Sequence, residues 1–411
     1  MDSKSSFTGI FEPFLKKQPI FKDREVLRHS YTPDELPHRE EEIKYLASLI
    51  APSLKEETPS NVLIYGKSGT GKTIVTKFVC SELERASSKV DFNIKTVYIN
   101  CELVNTQYRI LCTLANEFGK NVPFTGWPTD KVYDSFKEGA DSENNIIIVV
   151  LDEIDRIVGK HGDSVLYYLT RINSELKNSK LSVIGISNDL KFTDYLDNRV
   201  LSTLGRDEII FKPYNAKQLE DILKRRAELA FLEGSFDEYV IPLCSALAAR
   251  DHGDARKALD LLRVSGEVAE RENASIATER HVRKANSKIE SDNIVEAIQT
   301  LPTQSKLLLY AVIYLEERKE KFISTGKIYD IYTSLCRYVS IDPLTQRRVS
   351  DLISELDLLG ILNSKVISKG RYGRTKEIKL EVPISRIKDC ILEDVRLSSL
   401  RNYIITQKLL L

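Results

Sequence analysis

The chain has 411 residues, 42% of them apolar, enough material for two or three domains with cores of their own. Its 60 basic residues balance 60 acidic ones, so net charge gives no sign of a nucleic-acid partner and any such signal must be local. The six cysteines are scattered without a CxxC pair, which argues against zinc, and no apolar run approaches membrane-spanning length; a cytoplasmic protein with buried thiols is expected.

The first 30 residues read as irregular. A Pro-rich stretch from Tyr31 to Pro37 leads into a helix with Ile43, Leu46, Ala47 and Ile50 on one face. From Asn61 the pattern changes to short apolar runs separated by helices: Val62–Tyr65, Val97–Asn100, Ile146–Leu151, Leu181–Ser187 and Glu208–Phe211. Runs that do not alternate predict strands buried on both faces, hence an α/β core with a parallel five-stranded sheet ending near Pro213. Beyond Tyr214 the strands stop. Asn215 with Gln218 three residues on is a helix-start signature, and helical patterns continue to about residue 292. In the last region, Asp342 and Pro343 precede a helix whose apolar face is Val349, Leu352, Ile353, Leu356 and Leu359, with Gly360 at its end. Two strand-like segments, Lys365–Ser368 and Lys376–Leu380, follow around a basic Gly-containing loop, the pattern of a winged helix. The expected divisions are 1–213 for a nucleotide-binding core with its N-terminal extension, 214–292 for an all-helical domain and 293–411 for the winged helix.

The run Gly66, Lys67, Ser68, Gly69, Thr70, Gly71, Lys72, Thr73 is a P-loop, set after a strand and before a helix. Its glycines let backbone N–H groups converge on a phosphate, and the helix N-terminus adds the positive end of its dipole. Lys72 would reach the β- and γ-phosphates of ATP, and Thr73 would ligate Mg2+. The strand Ile146–Leu151 runs into Asp152, Glu153, Ile154 and Asp155, acids at the C-terminal edge of a buried strand, where parallel sheets bind ligands. Asp152 would hold the magnesium through its water shell and Glu153 would polarise the attacking water. Asn188, closing the strand Leu181–Ser187, is placed to orient that water or is a turn residue. Arg256 opens a helix of the second domain, where it either reaches the γ-phosphate or is a surface arginine.

This combination resembles the AAA+ ATPases, and among them the archaeal origin-recognition initiators, across nearly the whole chain. The resemblance implies an AAA+ core, a helical lid and a C-terminal winged helix, with ATP or ADP as cofactor and slow ATP hydrolysis used as a switch. Tyr31–Glu40 is similar to the adenine-side segment, so Leu36, Pro37, His38 and Arg39 would border the base. The acidic run, Ile186–Asn188 and Gly253–Arg263 resemble the family's acidic, first-sensor and second-sensor elements. Tyr98–Gly126 is similar to the initiator-specific helical insertion, making Arg109 and the Pro123–Trp127 loop with Gly126 candidate DNA contacts; Trp127 could instead only pack on the core. Arg199 matches the position of the arginine finger, which would act on a neighbouring subunit's ATP, with Arg206 a competitor.

On the winged helix, Thr345, Gln346, Arg347 and Arg348 sit at the start of the recognition helix, where arginine reads guanine and glutamine reads adenine. Adjacent helical residues point about 100° apart, so one of the two arginines is expected to contact phosphate or pack instead. Lys365, Lys369, Arg371, Arg374 and Lys376 fall in one stretch without an acid, and with Tyr372 at its tip that hairpin suits a backbone or minor-groove contact. The implied partners are double-stranded origin DNA, the replicative helicase and other initiator paralogues, at the nucleoid. The same fold would also serve a paralogue acting as a transcriptional regulator. A clamp-loader-like or signalling ATPase would need an oligomerising collar that is not evident.

Overall fold

The computed structural model describes residues 19–88, 93–368 and 374–402. They form two compact units, one ending at Lys284 and one beginning at Ala285, and the division falls inside the helix Glu279–Thr300.

In the first unit the strands are β1 (Val62–Gly66), β2 (Asn93–Asn100), β3 (Asn145–Asp152), β4 (Lys180–Ser187) and β5 (Asp207–Phe211). They lie in the order β2-β3-β4-β1-β5, every pairing parallel. The absence of alternation in β1, β3 and β4 has its reason in two cores. Leu63, Ile147, Val149 and Val183 pack on one face, and Val62, Ile64, Ile148 and Ile184 on the other. Each such side chain contributes about 1.5–3 kcal/mol on burial. β2 begins at Asn93, earlier than the apolar run from Val97 predicted. It is an edge strand, so polar Asn93 and Lys95 can sit among apolar neighbours without breaking the pairing. All six cysteines are free and buried. No described helix is long and apolar enough to cross a membrane.

The helical part opens on a complete capping box. The Gln218 N–H donates to Asn215 Oδ1 at 2.9 Å, and the Asn215 N–H donates to Gln218 Oε1 at 3.0 Å. Three helices follow, Ala216–Ala230, Val240–Arg250 and Ala255–Arg271. Against them lies the segment from Pro19 to Tyr31, which the sequence reading left irregular. Ile20 and Leu27 are fully buried, and the Phe21 ring stands 4.7 Å from that of Phe231. The buried Arg226 guanidinium donates to the Val26 carbonyl at 2.9 Å and lies 4.5 Å over the Tyr31 ring. An arginine thus anchors this strap by its backbone, a role that no periodicity encodes.

A buried histidine marks the start of the helix Glu279–Thr300. His281 Nδ1 accepts the Thr278 N–H at 2.9 Å, which requires neutral imidazole at that nitrogen. Burial holds the His281 pKa below the ordinary value, with Glu272 opposing. Its contribution is therefore complete above about pH 6.5 and is lost as pH falls through the depressed folded-state value. His281→Asn, which keeps an acceptor but does not titrate, should flatten the fall in melting temperature between pH 7.5 and pH 5. An unchanged slope would exclude His281 as the source.

The second unit contains the helices Thr303–Glu317, Thr325–Tyr338 and Gln346–Leu358, the antiparallel pair β6 (Leu362–Ser368) and β7 (Arg374–Leu380), and the helix Ile384–Leu392. Leu307, Val312, Ile331, Val349, Ile353 and Ile378 share its core. The Ile378 N–H also donates to the Ile323 carbonyl at 2.9 Å, giving β7 a second backbone partner besides β6. This is the winged-helix arrangement: a helix on the core, then a two-stranded hairpin.

Candidate functional site

Three strand ends, of β1, β3 and β4, and two helix starts converge in the first unit. The P-loop turns back after β1 because Gly69 and Gly71 adopt φ of +70° and +95°, conformations that cost other residues about 1–2 kcal/mol. Lys72, the first residue of the helix Lys72–Ser87, is buried and its ammonium donates to the Gly66 and Lys67 carbonyls at 2.7 and 2.8 Å. A third bond, of 2.8 Å, goes to Asn188 Oδ1 at the end of β4. Burial pulls the Lys72 pKa down to about 8; Asp152 opposes that fall and Arg256 adds to it.

Asp152 closes β3, next to β4 in the sheet. Its Oδ2 accepts the Thr73 hydroxyl at 2.8 Å and the Tyr98 phenol from β2, and its Oδ1 accepts the Glu153 N–H at 3.0 Å. Thr73 and Asp152 are thereby adjacent oxygen donors of the kind that hold a hard divalent cation. Glu153 has φ +57°, a left-handed conformation unusual for glutamate. One of its carboxylate oxygens is buried with no hydrogen-bond partner. Burial, then Glu102 and Asp152, raise its pKa. Its nearest cation is Arg156, whose Nε stands 3.8 Å away, so the oxygen remains suited to accept a proton from a water. Asp155 braces the far side, taking the Ser187 hydroxyl at 3.0 Å and the Asn188 N–H at 3.2 Å.

The helix Ala255–Arg271 comes to the same place from the lid. Asp254 caps it, its Oδ1 accepting the Arg256 N–H at 2.7 Å, and the Ala255 N–H donates to the Gly69 carbonyl at 3.1 Å. Arg256 lines a cavity of about 640 Å3 together with Gly69 to Thr73, Asp152, Glu153 and Asn188. A Cβ at Gly69 would overlap the Asp254 carboxylate. Gly69→Ala should therefore break the contact between lid and P-loop, costing about 1–2 kcal/mol of stability from the left-handed backbone alone. Calorimetric melting measures this; a wild-type midpoint would refute the close approach.

The lining also includes Tyr31, Leu36 and Pro37 with Ile222, Leu229 and Leu259. His38 and Arg39 do not line the cavity. His38 Nε2 pairs with Asp221 Oδ2 at 2.9 Å. Arg39 is buried and spends its donors on the Thr70 carbonyl (3.0 Å), Tyr214 hydroxyl (3.0 Å), Glu42 (2.8 Å) and Lys212 carbonyl (2.7 Å). It ties the P-loop to the end of the sheet. Gly66, Lys67 and Ser68 also lie outside the lining; Gly66 instead allows β1 to approach Phe211, whose carbonyl a Cβ would meet at 2.5 Å. Tyr98, Tyr214, Ile222 and Leu259 were missed by the sequence reading, since an aromatic or apolar residue in a strand or lid helix looks like core.

Arg199 lies outside the cavity on the exposed start of the helix Asn198–Leu204, with its Nε 3.0 Å from Asp197 Oδ1. In the insertion between β2 and β3, Arg109 is exposed and donates to the Leu103 carbonyl at 3.3 Å. Gly126 is exposed with φ +98°, while Trp127 packs against the core beneath Lys131.

In the second unit Thr345 caps the helix Gln346–Leu358, its hydroxyl accepting the Arg348 N–H. Gln346, Arg347 and Arg348 are exposed, and Arg348 turns back along its own helix to Glu355 at 3.1 Å. Lys376 donates to Ser354 at 2.9 Å, tying β7 to that helix. Arg371 and Tyr372 lie outside the described residues, as does the side chain of Arg374.

A parallel sheet carrying a P-loop, with a helical lid presenting an arginine to the same cavity, defines an ATPase of the AAA+ class. Residues 62–214 match the ATPase family associated with various cellular activities (AAA), 220–287 the Cdc6 AAA+ ATPase-type lid domain, and 296–389 the CDC6 C-terminal winged helix domain. The chain belongs to the family of ORC1-type DNA replication proteins. It is 58% identical over 395 residues to the ORC1-type DNA replication protein of Pyrococcus horikoshii, covering 95% of this chain and 94% of that one. With ORC1-type DNA replication protein 1 of Methanosarcina acetivorans it shares 56% over 405 residues, 98% of each. The structure of the Aeropyrum pernix ORC1 protein in complex with DNA superposes with TM-score 0.80 at 44% identity, over 93% of this chain and 100% of that one.

Proposed function

We propose that this protein is a replication initiator that binds ATP with magnesium in the cavity under the P-loop and recognises origin DNA. The observation that carries the nucleotide half is the convergence of Lys72, Asn188, the Thr73–Asp152 pair and Arg256 on one cavity. In this reading Lys72 binds the β- and γ-phosphates, and backbone N–H groups of Gly69 to Thr73 surround them. Thr73 and Asp152 would hold the magnesium, which would offset the negative charge on the phosphate oxygens. Glu153 accepts a hydrogen from the attacking water and Asn188 orients it. Arg256 senses the γ-phosphate from the lid. Leu36 and Pro37 border the base, with Tyr31 and Ile222 beside them. Arg199, exposed at a distance from its own cavity, acts on the ATP of a neighbouring subunit.

DNA binding is inferred from the likeness to the Aeropyrum ORC1 protein, whose structure is a complex with DNA. Arg347 and Gln346 read bases, Arg371, Tyr372 and Arg374 of the wing follow the backbone, and Arg109 with the loop around Gly126 adds a second contact. ATP binding with slow hydrolysis sets how core (1–213), lid (214–292) and winged helix (293–411) engage the duplex. Recruitment of the replicative helicase and pairing with initiator paralogues follow at the nucleoid.

Genome-wide occupancy, combined with footprinting in ATP and in ADP, tests this reading. Enrichment at replication start sites with a nucleotide-dependent footprint is expected. Enrichment at promoters, with origin firing unaffected by gene deletion, would make it a transcriptional regulator instead.

A further inference from the structure

Tyr98 belongs to β2, an edge strand, and no part of the mechanism above uses it. Its phenol nevertheless donates to Asp152 Oδ2, the same oxygen that takes the Thr73 hydroxyl at 2.8 Å. The pairing of β2 with β3 sets this contact: Tyr98 stands opposite Val150, two residues before Asp152. Lys77, one turn beyond Thr73 on the P-loop helix, holds its ammonium 4.2 Å from the Tyr98 ring centroid and also lines the cavity. The phenol is thus fixed at its hydroxyl by a carboxylate and at its ring by a cation.

A carboxylate offers about four lone-pair positions. Three at Asp152 are taken, by Tyr98, Thr73 and the Glu153 N–H, which fixes the plane of the group. We propose that Tyr98 is a positioning residue for the divalent-cation site, holding the Asp152 carboxylate so that its remaining lone pair faces the cavity. Without the phenol the carboxylate is held by only two donors, Thr73 on Oδ2 and the Glu153 N–H on Oδ1, and its orientation loosens. A donor to a metal-ligating carboxylate typically changes metal affinity by about 10–100-fold when removed.

This inference rests on the assignment of the cavity to ATP and magnesium, and Tyr98→Phe tests it while keeping the ring under Lys77. The measurement is binding of a fluorescent ATP analogue, first in EDTA and then as magnesium is added, for the full chain, Tyr98→Phe and Lys72→Ala. Tyr98→Phe should match wild type in EDTA and in melting temperature, yet need roughly tenfold more magnesium to reach half of the magnesium-dependent gain. Single-turnover hydrolysis at saturating magnesium should recover to the wild-type rate. A wild-type magnesium midpoint overturns the proposal, and so does a lowered melting temperature with that midpoint unchanged, since either leaves the phenol a structural bond. If wild type itself shows no magnesium-dependent binding, or Lys72→Ala binds as wild type does, the ATP reading falls first and the positioning role with it.

Discussion

Replacing Lys72 with alanine should lower the affinity for ATP and ADP by about a hundredfold, the scale of one or two charge-assisted hydrogen bonds, and leave the fold intact. Both halves of this expectation come from the same geometry. The ammonium sits where the P-loop folds over it, bonded to the Gly66 and Lys67 carbonyls and to Asn188. Its pKa near 8 reflects a cation disfavoured by burial, so its removal relieves that cost while breaking those bonds. The two effects oppose each other in the protein without nucleotide, and the melting temperature should move little. With ATP there is no such offset, because the phosphates lose their nearest cation. Isothermal titration beside thermal melting separates the cases. Retained affinity would falsify the site, whereas collapse of the fold would mean that the three bonds outweigh the buried charge.

The second large effect is expected on the winged helix, at Arg347. Both arginines at the start of Gln346–Leu358 are exposed, but the guanidinium of Arg348 pairs with Glu355 at 3.1 Å and reaches Asp351 at 3.9 Å on its own helix. Among the described residues Arg347 makes no ion pair with a carboxylate of that helix, and it occupies the first turn, where a recognition helix meets base edges. Arg347→Ala should weaken binding to the specific duplex by ~1–3 kcal/mol and reduce the preference over scrambled DNA. Arg348→Ala should cost less than ~1 kcal/mol, in line with an exposed side chain held by exposed acids. Fluorescence anisotropy on both duplexes at fixed salt decides the order. If Arg348 proves the more costly, its ion pairs are broken on binding and it is the reading residue. Changes at Arg371 or Arg374 should instead flatten the salt dependence by about one unit of slope per phosphate contact.

Much of the architecture was legible beforehand because it is encoded locally. The apolar runs gave β1, β3 and β4 nearly to the residue, since strands buried on both faces cannot carry charge in their interiors; β5 was also located within a residue, but as an edge strand it is buried on one face only, with Glu208 and Ile210 exposed. Asn215 and Gln218 announced a helix start that uses both halves of the predicted exchange. Gly69 and Gly71 stand where the backbone turns left-handed. The hairpin strands begin earlier than expected, at Leu362 and Arg374; at the first of them polar Asn363 and Ser364 are absorbed by the ladder and by the bonds they donate to Glu381 and Asp357.

Other features exist only because the chain folds back on itself. In the strand order β2-β3-β4-β1-β5 the pairing of β2 with β3 places Tyr98 against Asp152, and the insertion of β1 beside β4 brings the P-loop to the same edge, with Thr73 against Asp152 and Lys72 against Asn188. Those partners are 54, 79 and 116 residues apart; the motifs assigned Thr73, Asp152, Lys72 and Asn188 to one ATP site, but not which side chain bonds to which, and they gave Tyr98 no part in it. Arg39 likewise looked like a residue beside the base, and only the folded chain shows its guanidinium bridging Thr70, Tyr214 and Lys212. The strap from Pro19 to Tyr31 has no pattern of its own; it is ordered by the lid surface that buries Ile20 and Phe21 and by Arg226. By itself the sequence determined which segments become strands, helices and the P-loop, since those depend on neighbours a few residues apart. The tertiary structure decided which carboxylate each hydroxyl holds, because hydrogen bonds form by proximity in space and the sheet crossovers create that proximity.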